Sequence, residues 1–144
     1  MRRVRSGAHY RWTDAWLLLT AGMRLDDAPV PLAGLLARAD SAEHAVASFD
    51  EVDGGLARLQ AAGFVTVDSG LISLTAAGRE LVRAAGATSM PIHKWQGALE
   101  RALGATPWTP DYRPEHARRD PTLPARITTA EYEAAIRSNG YRRR

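Results

Sequence analysis

LARLQAAGFVTVDSGLISLTAAGRELV, residues 56 to 82, sets three elements end to end with almost no slack. A helix ends in Ala61-Ala62-Gly63, a strand Phe64 to Val67 turns through Asp68-Ser69-Gly70 into Leu71 to Leu74, and Thr75 opens another helix. Gly63 closes the first helix because glycine takes the left-handed conformation without a Cβ clash. A three-residue loop ending in Gly70 suits a hairpin whose last loop residue needs positive φ. The Thr75 hydroxyl is placed to accept from free amides in the first turn of Ala76 to Val82.

Upstream, Thr13 or Asp14 caps a helix running to about Met23, with Trp12, Trp16, Leu19 and Met23 near helical spacing. This is the expected central helix. Asp26 to Pro31 reads as a turn, with Pro31 opening a second helix from Leu32 to Ala39 and Asp40 to Ser48 forming a connector. Ser48 or Asp50 starts a third helix, whose core stripe is Phe49, Val52, Leu56 and Leu59. At about 100° per residue, Glu51, Gly54, Arg58 and Ala61 fall on the opposite, outward face. Small residues at 54 and 61 permit close approach by a DNA groove or a partner helix.

Downstream, Gly86 breaks the chain, and an amphipathic helix follows with Ile92, Trp95, Leu99, Ala102 and Leu103 on one side. The Ile92 to Leu103 helix is a candidate homodimer surface. Thr106 to Pro124 contains Pro107, Pro110, Pro114, Pro121 and Pro124 and is expected to be extended. Thr128 and Glu131 have capping-box spacing before a short helix that Asn139-Gly140 stops after Ser138. The organisation is a basic tail (1–12), a domain with an extra helix (13–104), and a proline-rich arm with a short helix and basic C-terminus (105–144). The fold class is mainly α with a small β-hairpin.

The chain has 144 residues and no cysteine, which excludes disulfides, thiolate metal sites and cysteine nucleophiles together. The apolar run Ala15 to Ala21 is too short to cross a bilayer, and the arginines before it lack a clean cleavage site after the run, so the expectation is a cytoplasmic protein without a membrane partner. Charge is divided. Residues 1–12 carry four arginines and no acid, residues 13–104 carry seven basic and eleven acidic residues, and residues 105–144 carry eight basic and five acidic residues. An acidic body lies between basic ends, so any attraction for nucleic acid belongs to the ends.

Little in the chain suggests catalysis. His9, His44, His93 and His116 have no metal-ligand spacing, and no phosphate-binding glycine loop, nucleophile elbow or dinucleotide fingerprint occurs. His44 with Asp40 and Glu43 reads as loop caps and turn contacts. The expectations are no enzyme activity, no cofactor and no metal.

In the order helix, helix, helix, hairpin, helix, and in the stretches Leu56 to Val65 and Leu74 to Leu81, residues 13–83 resemble the winged helix-turn-helix domains of bacterial regulators of the multiple-antibiotic-resistance and phenolic-acid-repressor types. That resemblance implies a transcriptional regulator whose third helix enters the major groove, presenting Arg58 and Gln60. Arg2, Arg3, Arg5, Arg142, Arg143 and Arg144 would then contact phosphates. The chain departs from the pattern in its long Asp40 to Ser48 connector, in Asp50, Glu51 and Asp53 on the third helix, and in Asp68 at the wing tip. The alternative expectation is a winged helix that binds a protein partner without DNA. Its candidate contacts are Gly54 and Ala61, or the arm aromatics Trp108 and Tyr112, since aromatics in extended segments dock onto something.

Overall fold

A computed structural model describes residues 9–22, 28–43, 45–86 and 90–141. The elements run α1 (Trp12–Gly22), β1 (Val30–Pro31), α2 (Leu32–Glu43), α3 (Phe49–Ala61), β2 (Val65–Asp68), β3 (Leu71–Leu74), α4 (Ala76–Ala85), α5 (Ile92–Leu103), a 3-10 turn (Pro114–Ala117) and α6 (Thr129–Ser138). The protein is mainly helical with a small three-stranded antiparallel sheet in the order β1-β3-β2. Among the described residues no helix is long and apolar enough to cross a membrane.

The junctions of residues 56–82 follow their chemistry. Gly63 has φ +82°, the Phe64 amide donates to Leu59 O at 2.9 Å, and the Thr75 hydroxyl caps α4 by accepting from the Gly78 amide at 3.0 Å. The hairpin loop is one residue tighter than expected. Asp68 pairs with Leu71, leaving Ser69 (φ +50°) and Gly70 (φ +76°) as a two-residue turn with both centres at positive φ. Such turns match the right-handed twist of the flanking strands, which explains why the strands gain a residue pair.

Two further differences lie in the α2 region. The 26–31 stretch was expected as a turn, yet Val30 and Pro31 pair with Ile72 and Leu71 as β1. Proline is tolerated at this edge, where its missing N–H breaks no inner ladder. Helix α2 continues through Glu43, so the connector to α3 is short, residues 44–48. Ser48 and Glu51 then form a full capping box, with the Glu51 amide donating to Ser48 Oγ at 3.2 Å and the Ser48 amide to Glu51 Oε1 at 2.8 Å.

Helix α3 shares the centre with α1. Every residue from Glu51 to Leu59 is buried, not only the Phe49–Leu59 stripe. Two consecutive glycines make this possible despite a helix-interior cost of about 1 kcal/mol each. A Cβ on Gly55 would lie 2.5 Å from Leu17 Cδ1, so α1 approaches there; a Cβ on Gly54 would lie 1.9 Å from Ala117 O, so the arm approaches on the other side.

Downstream of α5, the described residues 105–141 pack onto the body. Ile127, Ala135 and Ile136 belong to the same core as Trp16, Leu56 and Leu99. Helix α6 lies on α2, where Asn139 donates to Ala33 O at 2.8 Å, and Tyr132 donates to Ala47 O at 2.7 Å. Helix α5 directs Trp95 and Leu99 into the body, and Trp95 Nε1 donates to Val82 O at 2.9 Å. On the apolar side offered as a dimer surface, Trp95 and Leu99 are buried within the chain, while Ile92, Ala102 and Leu103 are half-buried.

Candidate functional site

The outward face of α3 is where function was expected, and it is covered. Arg58, expected to point into solvent, is only 6% exposed. Its Nε donates to Asp14 Oδ2 at 2.7 Å and its Nη2 to Asp14 Oδ1 at 2.9 Å, a bidentate pair with a carboxylate that is 0% exposed. The same guanidinium donates to Ala117 O at 2.9 Å and Arg118 O at 3.2 Å, so it ties α1, α3 and the arm together. The expectation failed because the helical projection assumed a solvated outer face. Helix α1 supplies an acid of its own at the start of the core, and the arm closes over what remains.

The neighbouring acids of α3 are held in the same way. Asp53 accepts from Arg119 Nε at 3.0 Å, from the Arg126 amide at 2.7 Å and from the Ile127 amide at 3.2 Å. Asp50 meets Arg118 Nη2 at 3.4 Å. The Tyr112 hydroxyl donates to Glu51 Oε2. Burial, then this hydrogen bond to a carboxylate, pushes the Tyr112 phenol well above its ordinary value of 10.0. Its ring also packs edge-on against Trp12 at 5.4 Å, and Trp12 stacks on Trp16 at 5.8 Å.

The remaining expected site residues divide three ways. Gln60 faces the hairpin, accepting from the Val67 amide at 2.9 Å, and is a brace between α3 and β2. Gly54 lies under the arm, Tyr112 is docked on the body, Ala61 is exposed, and Trp108 is 59% exposed. Arg2, Arg3, Arg5, Arg142, Arg143 and Arg144 lie outside the described residues, as does His44. Asp40, once grouped with His44, accepts from the Tyr141 hydroxyl at 3.1 Å. Among the described residues no group of three His, Asp or Glu is placed to hold a metal ion.

One open concavity lies beside this covered face. A cleft of about 560 Å³ runs between the 9–11 segment, Arg58 and Ala61 on the C-terminal half of α3, and arm residues 116–123. Its walls carry His9 and His116, set aside in the sequence for want of metal-ligand spacing, and Arg11 and Arg118, which the sequence did not mark as site residues. The available signal was the charge division between acidic helix and basic arm, which the sequence shows without saying that the two meet. No family model, curated protein or solved structure matches the chain.

Proposed function

We propose that this chain is a non-enzymatic winged helix-turn-helix protein that serves as a protein-interaction module and does not read duplex DNA with α3. The element order α1-β1-α2-α3-β2-β3-α4 and the sheet order β1-β3-β2 support the winged-helix reading, with α3 in the place of the recognition helix. One observation carries the functional half: the face of α3 that would enter a groove is occupied by the chain's own arm, with Ala117 O seated on Gly54 and Arg58 bound to Asp14. A base-reading arginine must be free to donate to guanine. The wing supports the same reading. Asp68 stands at its tip, in the last pair before the turn, and a Cβ on Gly70 would lie 3.4 Å from the Glu131 carboxylate, so acid replaces the cation that phosphate contact requires.

Each buried acid of the body, Asp14, Glu51 and Asp53, is held by hydrogen bonds within the fold, which favours structure over acid-base chemistry. Trp108, exposed in the extended segment ahead of the docked Tyr112, is the best-placed partner contact. Binding of the full chain to random duplex DNA across a salt series is the deciding experiment. The expected outcome is no saturable binding at about 0.15 M salt, because phosphate contacts by terminal arginines alone are largely screened there. Saturable sub-micromolar binding would restore the DNA-regulator reading. A partner whose binding survives Trp108→Ala would move the interaction surface elsewhere.

A further inference from the structure

The cleft beside α3 has more cationic capacity than the fold uses. Of its four arginines, Arg58 is neutralised by Asp14 and Arg119 by Asp53, with Arg119 Nη1 also donating to Leu123 O. Arg118 reaches Asp50 only at 3.4 Å and keeps 64% of its side chain exposed. Among the described residues the Arg11 guanidinium has no hydrogen bond or ion pair, although its backbone is fixed. Thr106 N donates to Tyr10 O at 2.8 Å and Trp12 N to Thr106 O at 2.9 Å, on either side of it. His116 Nδ1 accepts from the Arg113 amide at 3.2 Å, which leaves Nε2 as the protonated nitrogen and an available donor. The one acid on the wall, Asp120, is turned into its own loop, accepting from both the amide and the hydroxyl of Thr122 at 2.9 Å.

We propose that this cleft binds a phosphomonoester carried on a small apolar body. The unpaired Arg11 guanidinium, the largely exposed Arg118 guanidinium, which holds Asp50 through Nη2 alone, and an imidazole N–H, delivered from the N-terminal segment and the arm, give more donors than one carboxylate has oxygens. A phosphate dianion offers three terminal oxygens and the higher charge. The cleft is larger than phosphate alone requires and lies in the range of small-molecule sites. Ala61, Pro121 and Leu123 supply the apolar wall for the rest of the ligand. Arg11 and Arg118 bind the phosphoryl oxygens, with His116 Nε2 as third donor, and a ligand so held links residue 11 to the arm over the end of α3. This site is independent of the interaction reading and of its DNA test.

Calorimetric titration and thermal denaturation of the full chain with phenyl phosphate, inorganic phosphate and benzoate test the proposal. Phenyl phosphate is expected to bind once per chain, saturably, and to raise Tm by linkage. Inorganic phosphate and benzoate should each bind at least about tenfold more weakly, the first for want of an apolar body and the second for want of charge. Arg11→Gln and Arg118→Gln should each weaken phenyl phosphate about tenfold or more while leaving Tm without probe unchanged, since a charge-assisted hydrogen bond is lost at an exposed site. Ala61→Glu, an exposed change on the cleft wall, should abolish binding by repulsion. No saturation below about 10 mM, equal affinity for benzoate, equal affinity for inorganic phosphate, or binding indifferent to all three substitutions would each overturn the assignment.

Discussion

Arg58→Ala should be among the most damaging single changes in this protein. In the wild-type fold the Asp14 carboxylate is 0% exposed and accepts two hydrogen bonds from Arg58 and one from the Arg11 amide at 2.9 Å. Truncating Arg58 leaves that buried charge with a single amide donor, and breaking a buried pair at one side costs about 3–5 kcal/mol. The carbonyls of Ala117 and Arg118 lose their donor too; Arg118 lines the cleft, where water can replace it, whereas Ala117 is buried and adds to the cost. About 4 kcal/mol is therefore expected, a large share of the roughly 5–15 kcal/mol typical of a domain. At about 2.1 cal/mol/K per residue, a chain of 144 residues has an unfolding entropy near 0.3 kcal/mol/K, so Tm should fall by about 13 °C. Thermal and urea denaturation followed by circular dichroism measure both, and an unchanged m-value would assign the loss to the folded state. Asp14→Ala and the double variant complete a cycle, in which the coupling should exceed about 1.5 kcal/mol. A loss below about 1 kcal/mol, normal for a solvated arginine, would show that Arg58 stands free and would return it to the DNA-reading role.

Three other outcomes follow from local geometry. Gly54→Ala should destabilise by more than about 2 kcal/mol against its helix-propensity gain, because the added Cβ meets the Ala117 carbonyl at 1.9 Å; Gly97→Ala in α5, which meets only the flexible end of Arg101 at 3.4 Å, should stabilise by up to about 1 kcal/mol in the same urea assay. In the hairpin turn, Gly70→Ala should cost more than about 1 kcal/mol and Ser69→Asn should gain a few tenths, since both positions have positive φ and Asn-Gly suits such a turn. The Tyr112 phenol is held protonated in the fold, so an unfolded chain releases that proton first: its contribution is complete below pH 10 and declines as pH rises beyond it. The slope of unfolding free energy between pH 9 and 11 should be shallower in Tyr112→Phe, and equal slopes would remove the burial argument.

The parts of the fold that were legible in the sequence are those set by local chemistry. Gly63, Gly70, Thr75 and the Thr128/Glu131 capping box mark their junctions because each acts within a few residues of itself, and the structure places a helix end, a tight turn and two helix starts there. Strand β1 was missed because two residues, one of them a proline, carry no periodic signal; only pairing with Leu71 and Ile72, some 40 positions away, makes it a strand. The burial of Arg58 was not legible for a related reason. Projection of α3 onto a helical wheel correctly sets Arg58 opposite Leu56, but whether that side meets water depends on Asp14, 44 residues earlier, and Ala117, 59 residues later. Ala61, set on the outward face of α3, is exposed, and of the two arm aromatics expected to dock, Tyr112 lies on the body while Trp108 is exposed.

The charge division that was most visible in the sequence has a physical resolution inside one molecule. Asp50 and Asp53 on α3 weigh against binding a polyanion, and Arg118 and Arg119 on the arm weigh in favour of it, yet they face each other. Asp53 accepts from the Arg119 guanidinium and two arm amides with only a few per cent of its surface exposed, so this acid fixes the path of residues 119–127 as well as pairing a charge. Glycine at 54 is then required by the same arrangement, since a carbonyl seated on the helix at Ala117 leaves no room for a side chain. An acidic helix with a glycine at its centre and a basic proline-rich arm are complementary halves of one contact. Net positive charge in this chain therefore says less about nucleic acid than the same value would in a protein whose arginines stand alone.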